Sequence, residues 1–174
     1  MAEIAFWIFA AIVLAFGFVV FWGAPYVPSK RKELKAAFSE LYPLKKDDVV
    51  IDIGSGDGVV LREAASHGAK AIGYELNPIL VAITRFISRR NPNIQAHVAN
   101  FWNIRLPEET TVIYLFAVSR DIGKLGDKIA EEATRLDKKL TVITYGSQMP
   151  GRNPLRMLGA HSLYEFTPLQ VGKA

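Results

Sequence analysis

The chain has 174 residues, with 21 Lys and Arg against 17 Asp and Glu, which gives a formal net charge of +4. It has no cysteine, so disulfides, thiolate metal sites and cysteine nucleophiles are excluded. His67, His97 and His161 are scattered, and we find neither a phosphate loop with its lysine nor a serine-hydrolase elbow. Composition therefore gives no support to metal-dependent or nucleophilic hydrolysis.

The first 24 residues differ from the rest of the chain. Ile4 to Ala24 carries no charged side chain and is long enough, at about 1.5 Å per residue, to cross a hydrocarbon core of about 30 Å. A cleaved signal peptide would need a basic start and a shorter apolar core, whereas only Glu3 is ionisable before this stretch. We predict a transmembrane helix in residues 1–24, with a buried core helix as the alternative.

Basic residues follow the predicted span closely, at Lys30, Arg31, Lys32 and Lys35. This asymmetry predicts that the C-terminal side of the span is cytoplasmic. The expected localisation is a single-pass membrane protein, in the cell membrane of a bacterium or archaeon or in the mitochondrial inner membrane of a eukaryote. A basic cluster beside a span is also a contact for anionic lipid, so the charge does not require a nucleic-acid partner, and we expect none.

Residues 25–44 are predicted to form a juxtamembrane loop and an amphipathic helix. Ser29 is a suitable N-cap for a helix from about Lys30 to Leu41. Apolar residues recur on one face of this helix, at Leu34, Ala37, Phe38 and Leu41. The helix should therefore pack on the following domain. The loop Pro25–Ser29 is interpreted either as a lid over the site or as a stiff linker.

Residues 45–174 alternate strand and helix patterns, which predicts one α/β domain with a mostly parallel sheet covered on both faces. The predicted strands are Val49–Ile53, Ala71–Glu75, Ile94–Ala99, Thr111–Phe116 and Leu140–Tyr145. The tail, with Ser162 to Phe166 as its clearest strand, is expected to supply an antiparallel edge.

Three helices are predicted between these strands, at Val59–Ser66, from Pro78 to about Arg90, and from about Arg120 to Leu136. Asn77 followed by Pro78 is a typical cap and first residue for the second helix. Its inner face is predicted to carry Ile79, Ile83, Phe86 and Ile87.

The stretch Val49–Gly58 reads V-V-I-D-I-G-S-G-D-G, a buried strand that ends in a glycine turn before a helix. Such a turn points helix N-terminal N–H groups at a ligand. A dinucleotide fingerprint beginning at Gly54 would require glycine at position 59, where this chain has Val59. Glu75 ends the next strand, where its carboxylate suits a ribose diol. The pattern favours a ligand that contains a nucleoside.

The motifs D-I-G-S-G-D-G and G-Y-E-L-N-P resemble those of class I, seven-strand methyltransferases, which bind S-adenosylmethionine. Within that class the chain is most similar to the small membrane-anchored protein-lysine methyltransferases that modify the ATP synthase c-subunit and the adenine nucleotide translocase. The likeness runs from about Pro25 to Tyr145. It implies a Rossmann-like, doubly wound, mostly parallel sheet and S-adenosylmethionine as the cofactor.

The resemblance also implies a set of cofactor-binding residues: Asp52, Gly54, Ser55, Gly56, Gly58, Glu75, Leu76, Asn100 and Phe101. Asp52 is expected to hold the amino-acid end of the cofactor or to anchor the turn, and Glu75 to bind the ribose hydroxyls. Asn100 stands where the family's Asp-Leu-Trp has aspartate, and an amide oxygen can still accept from the adenine amino group. Phe101 or Trp102 is expected beside the adenine ring, with an ordinary core position as the alternative.

The acceptor side departs from the family. The relatives have a proline-containing segment after the fourth strand, where this chain reads Ala117-Val118-Ser119-Arg120-Asp121. It also lacks the N-P-P-Y segment that cradles planar amide and adenine nitrogens, which disfavours a planar acceptor. We assign no catalytic residue. The polar candidates near the expected mouth are Tyr26, Asp57, Ser119, Asp121 and Tyr145.

The sequence thus predicts a membrane-tethered methyltransferase, with a lysine of a membrane protein as the expected acceptor and the lipid bilayer as a partner of the N-terminal helix. Two alternatives stay open: methylation of a lipophilic small molecule such as a quinone or lipid, and a catalytically silent adaptor that binds S-adenosylmethionine. The oligomeric state is not predicted.

Overall fold

A computed structural model describes residues 3–7, 9–10, 13, 31–117 and 121–169. Residues 3–7, 9, 10 and 13 are helical. Within the described ranges, no helix has both the length and the apolar character needed to cross a membrane. Most of the predicted span Ile4–Ala24 lies outside those ranges, as do the loop Pro25–Ser29 and the expected N-cap Ser29. The transmembrane helix and the division at residues 24 and 44 therefore stay predictions.

In the described residues, a seven-stranded sheet forms the centre of the fold, in the order β3-β2-β1-β4-β5-β7-β6. The strands are β1 Val49–Ile53, β2 Lys70–Glu75, β3 Ile94–Val98, β4 Val112–Ala117, β5 Leu140–Gly146, β6 Arg156–Leu158 and β7 His161–Phe166. Neighbours among β1 to β5 pair in parallel, and β7 pairs antiparallel with both β5 and β6. The predicted Rossmann-like sheet is confirmed, with the bounds of β1 to β5 correct to within one residue.

Helices cover both faces of this sheet. They are α1 Arg31–Ala36, which continues as a π-helix over Ala37–Leu41, then α2 Val59–Ser66, α3 Pro78–Ser88 and α4 Ile122–Arg135, with a 3₁₀ turn at Phe101–Asn103. One buried cluster joins α1, α2 and α3 to the sheet, and a second joins α4 to its opposite face. The layered α/β architecture follows, because each face of the sheet needs an apolar cover.

The predicted apolar face of α1 and its π-helical extension is confirmed. Leu34, Ala37 and Phe38 are fully buried and Leu41 is 1% exposed. The Phe38 ring meets Tyr114 of β4 edge to face, with 5.8 Å between the ring centroids. The chain that follows the predicted span is therefore anchored on the sheet from Leu34 onward.

The predicted inner face of α3 is wrong. Ile83, Phe86 and Ile87 are 39%, 68% and 51% exposed, and the buried residues of this helix are Leu80, Val81, Thr84 and Ser88. The helix is apolar almost all round, so periodicity alone cannot select a face. The contact with the glycine turn determines which face of α3 is buried, because the Thr84 hydroxyl donates to the carbonyl of Gly56 at 3.1 Å. The predicted start is confirmed, since the Asn77 side chain accepts from the N–H of Ile79 at 2.9 Å.

The tail supplies the antiparallel edge of the sheet, as predicted, and it does so with two strands. β7 lies inside the sheet between β5 and β6. The edge is β6, which has three residues and forms a hairpin with β7 through a turn in which Gly159 has φ +59°. Glycine adopts this left-handed conformation at little cost, which is how two strands fit into so short a tail.

Candidate active site

The glycine turn folds over the carboxyl end of β2. The N–H groups of Gly54 and Ser55 both donate to the carbonyl of Tyr74, at 2.8 and 3.2 Å. Gly54, Gly56 and Gly58 have φ values of +77°, +53° and +78°. Side chains with a Cβ rarely adopt this left-handed region. The motif therefore has glycine at every second position because the first, third and fifth of these five residues are left-handed.

Glu75 fixes this turn from the end of β2. Its Oε2 accepts from the N–H of Gly56 at 3.0 Å, and its Oε1 accepts from the N–H of Asn77 at 2.8 Å. The side chain is 8% exposed. An ionised carboxylate can accept about four hydrogen bonds, so two acceptor positions are left for a ribose diol. The ribose role of Glu75 stays a prediction, and sequence reasoning missed this anchoring role, for which the sequence carries no signal.

Buried polar atoms without partners surround the turn. In the part of the chain that the structure describes, Oδ2 of Asp52, Oγ of Ser55 and Nδ2 of Asn77 make no hydrogen bond. Burial raises the pKa of Asp52 well above its usual range, and the nearby Glu75 and Asp57 carboxylates raise it further. Buried polar groups are nearly always paired in proteins, so the unpaired atoms of Asp52 and Asn77 fit a site for a polar ligand, whereas the Ser55 hydroxyl packs inward against Gly73.

Gly54 and Gly58 meet different surroundings. A Cβ added to Gly54 would have no atom within 4 Å, whereas one added to Gly58 would lie 2.4 Å from Cγ2 of Thr84. Gly58 is therefore required by the packing of α3, while Gly54 faces open space at the end of the sheet. The Ser55 side chain packs inward against Gly73. A Cβ added to Gly73 would lie 2.5 Å from Oγ of Ser55.

This difference predicts two distinct stability losses. Gly58→Ala should lower the free energy of unfolding by about 2–4 kcal/mol, from left-handed strain plus overpacking, while Gly54→Ala should cost only the strain of about 1–2 kcal/mol. Thr84→Ser, which removes the obstructing methyl group and keeps the hydroxyl, should partly rescue Gly58→Ala. Denaturant unfolding measures all three. Equal losses at the two glycines would contradict the packing role of Gly58.

Asn100 caps the 3₁₀ turn that follows β3. Its Oδ1 accepts from the N–H of Trp102 at 3.1 Å, and the N–H of Ala99 donates to the carbonyl of Glu75 at 2.9 Å, which places Asn100 beside the end of β2. Phe101 is 6% exposed and lies in the core, with the Lys128 ammonium 5.4 Å from its ring centroid. Trp102 is 43% exposed. Of the two aromatics predicted for the adenine ring, Trp102 is the accessible one.

The second lone pair of Asn100 Oδ1 leaves room for an adenine amino group. We expect Asn100→Asp to keep or improve the affinity for S-adenosylmethionine, because a carboxylate serves both the turn and the ligand. Asn100→Leu should weaken it by about 1–3 kcal/mol, since the amino group loses its acceptor. Calorimetry compares the three proteins. Equal affinities would place Asn100 outside the site.

At the carboxyl end of β5, a polar cluster links the sheet to α1. The Tyr145 hydroxyl donates to Oε2 of Glu33 at 3.0 Å, and the Tyr145 and His161 ring centroids are 4.8 Å apart. His161 Nε2 lies 3.0 Å from the Tyr114 hydroxyl. Burial lowers the pKa of His161, and the Glu33 carboxylate opposes that shift. Sequence reasoning named Tyr145 but missed Glu33 and His161, which stand in no motif.

The other polar candidates on the acceptor side are dispersed. Asp57 pairs with the guanidinium of Arg62 at 3.3 Å on the first turn of α2. Asp121 directly precedes α4 and is half-buried. Tyr26 and Ser119 lie outside the described residues. The structure thus brings no catalytic pair together among those sequence candidates that it describes.

The predicted cofactor residues lie at the carboxyl ends of three adjacent strands, β1, β2 and β3. Asp52 lies on β1, Glu75 ends β2 and is followed by the half-buried Leu76, and Asn100 follows β3. The chain order reverses at β1, which has β2 on one side and β4 on the other. Ligands of open α/β sheets bind at such a switch point. The arrangement suits an extended nucleoside ligand, and the binding roles of the individual residues stay predictions.

A profile of the ANTKMT methyltransferase domain matches residues 52–156, more than half of the chain. The chain belongs to this family. It is 33% identical over 111 residues to the lysine N-methyltransferase of the ATP synthase c-subunit from Xenopus laevis, covering 62% of this chain and 48% of that protein. It is 28% identical over 140 residues to a protein-lysine N-methyltransferase of Saccharolobus islandicus, covering 77% and 83%. The chain spans about half the length of the first of these relatives.

The fold has a solved counterpart. An RNA methyltransferase of Salinibacter ruber, crystallised with S-adenosyl-L-homocysteine, superposes with a TM-score of 0.71 at 24% identity, covering 85% of this chain and 98% of that one. This likeness shows the class I methyltransferase fold. The sequence-based assignment to the class I methyltransferases is confirmed, and S-adenosylmethionine is the cofactor of the family to which the chain belongs.

Proposed function

We propose that this methyltransferase transfers a methyl group from S-adenosylmethionine to a lysine side chain of a membrane protein. The observation that carries the proposal is the turn closed by Glu75, which lies inside the segment that matches the ANTKMT profile. The names of two relatives from distant organisms both specify lysine as the acceptor. The first of them also names the ATP synthase c-subunit, which supports a protein acceptor in the membrane.

A lysine acceptor sets a clear chemical task. When bound, S-adenosylmethionine supplies a methyl group activated by its sulfonium. At pH 7, an amine with a pKa near 10.4 is unprotonated in only about 10⁻³ of the molecules. The site must therefore remove a proton and the surrounding water from the lysine nitrogen. Glu75 and the turn hold the cofactor, and the remaining work is to align the nitrogen for in-line attack at about 3 Å. Tyr145 and Glu33 place a phenol and a carboxylate at the carboxyl end of β5, two strands away from β1.

The tether is part of the proposal. Residues 4–24 carry no charged side chain, and four basic residues follow at positions 30, 31, 32 and 35. This pattern supports a single span with the catalytic domain on the cytoplasmic side. α1 packs on the sheet immediately afterwards, so a span at residues 4–24 would hold the site close to the bilayer.

Transfer of a radiolabelled methyl group into membrane fractions tests the function. With the full chain we expect label in a protein band, and amino-acid analysis of that band should give methyllysine. Gly56→Val is the matched inactive control, because a branched side chain at a left-handed glycine disrupts the cofactor turn. Label confined to the lipid extract would favour a lipophilic small molecule as the acceptor. Cofactor binding without any label would favour an adaptor.

A further inference from the structure

An apolar stripe lies exposed on α3. Ile83, Phe86 and Ile87 occupy positions i, i+3 and i+4, so their side chains share one face of the helix. They are 39%, 68% and 51% exposed. Large apolar side chains that are clustered and exposed mark contact surfaces more often than those scattered singly. The stripe lies outside the cofactor site, because the opposite face of α3 carries the Thr84 contact with the glycine turn.

Three arginines, Arg85, Arg89 and Arg90, lie on α3 or directly after it. Residues 76–107 contain Arg85, Arg89, Arg90 and Arg105 and no acidic residue, so this segment alone carries a charge equal to the net charge of the chain, +4. The Arg89 guanidinium lies over the Phe86 ring, 4.5 Å from its centroid. It also donates to the carbonyl of Phe86 at 2.7 Å, which keeps the positive charge beside the apolar surface.

A cleft of about 300 Å³ opens beside the stripe, between α3 and the edge strand β3. Arg85, Arg89 and His97 are among its lining residues. The Nε of Arg85 donates to the carbonyl of Ala96 at 2.8 Å, which leaves the other N–H groups of that guanidinium for a ligand. Ser88 also lines the cleft, and its hydroxyl is buried without a hydrogen-bond partner in the described structure. Two guanidiniums and a hydroxyl suit a phosphate group.

We propose that this face of α3 docks on an anionic lipid surface, with the apolar stripe in the headgroup region and a lipid phosphate in the arginine cleft. An apolar helix face flanked by basic residues is the composition of interfacial helices. A surface for RNA would be more polar at its centre, because nucleic-acid interfaces are polar as well as positively charged. A second copy of the chain would bring the same unbalanced arginines together. Charge complementarity therefore favours lipid.

The proposal concerns the orientation of the domain and does not depend on which acceptor is methylated. The predicted span would fix only one end of the domain near the bilayer, whereas this contact would fix a second point and so restrict how the catalytic domain lies on the membrane. Both contacts favour the anionic inner surface.

The absence of cysteine from the sequence permits a direct test. An environment-sensitive fluorophore is attached to Ala82→Cys, an exposed position on α3 that preserves every residue of the stripe. The full chain is reconstituted into vesicles of phosphatidylcholine with or without phosphatidylglycerol. We expect a blue shift with phosphatidylglycerol and a smaller one without it. The matched control is Glu131→Cys, exposed on α4 across the sheet, which should show no shift.

Two double variants and one control, each carrying the Ala82→Cys probe, separate the contributions. Arg89→Gln with Arg90→Gln should lower the docked fraction relative to the undocked by at least about tenfold, since each basic residue near an anionic surface contributes roughly fivefold. Lys124→Gln with Lys139→Gln removes the same charge at exposed positions outside α3 and should change little. Phe86→Ser with Ile87→Ser should abolish the shift. S-adenosylmethionine binding, measured in parallel, confirms that each variant is folded.

Three outcomes would overturn the proposal. The first is an equal response of the probes at positions 82 and 131. The second is a shift without vesicles that grows with protein concentration, which would assign the face to a second copy of the chain. The third is a shift induced by RNA and not by phosphatidylglycerol, which would assign it to nucleic acid.

Discussion

Replacing Glu75 with alanine is expected to weaken S-adenosylmethionine binding by at least about 3 kcal/mol, or about 10²-fold. The ribose loses an acceptor, and the N–H groups of Gly56 and Asn77 lose the carboxylate that holds them at 3.0 and 2.8 Å. A hydrogen bond to a charged group is worth about 1.5–3 kcal/mol, so the double role raises the loss above that of a single ligand contact. Calorimetry with the purified chain measures it.

Two further variants sharpen this test. Glu75→Gln keeps the size and one oxygen of the side chain but brings an NH₂ group to one of the two N–H donors, so we expect an intermediate loss. Glu109→Ala removes a surface acid whose ion pair with Lys70 is exposed, and cofactor binding should be unchanged. Wild-type affinity in Glu75→Ala would show that neither the loop anchor nor the ribose contact matters.

Deleting the residues before Pro25 is expected to lower methylation of the membrane substrate by about 10²-fold, with cofactor affinity nearly unchanged. The proposed tether would hold the site near a membrane-embedded acceptor at an effective concentration approaching about 1 mM, an advantage that a free domain loses. The cofactor turn should be unaffected, because Glu75 and its partners lie within the packed domain. The assay is radiolabel transfer to native membranes, with calorimetry for the cofactor.

A span exchange distinguishes proximity from specific recognition. An unrelated transmembrane helix of the same orientation should restore most of the activity if the tether acts by proximity alone. A truncated domain that methylates native membranes at the full rate would refute the tether and point to a soluble acceptor.

The local pattern of the sequence determined a large part of the structure. Val49–Ile53 and Val59–Ser66 were predicted with the observed bounds, because a β-branched run and three left-handed glycines leave the chain few alternatives. The glycine spacing also excluded a dinucleotide motif, and Asn77-Pro78 placed the start of α3. These features rest on backbone conformation and capping, which depend on residues close together in the chain.

Other features were decided only by residues distant in sequence. α3 presents Thr84 and Ser88 inward because the backbone of the glycine turn lies against it, and no periodicity in an almost uniformly apolar helix indicates that contact. The same rotation exposes Ile83, Phe86 and Ile87. β7 lies inside the sheet because β5 pairs with one of its sides and the short strand β6 with the other. A strand pattern alone does not show which strands will be neighbours.

The candidate site shows the same division. The sequence by itself determined which residues stand at the strand ends, Asp52, Glu75 and Asn100 among them, because strand ends and turns are local. Tertiary structure decided what those residues touch: Glu75 holds Gly56 across 19 positions of sequence, and Tyr145 reaches Glu33 across 112. Hydrogen bonds of this kind form only once the sheet and its helices are assembled, and so the anchoring role of Glu75 and the cluster at Tyr145 had no counterpart in the sequence.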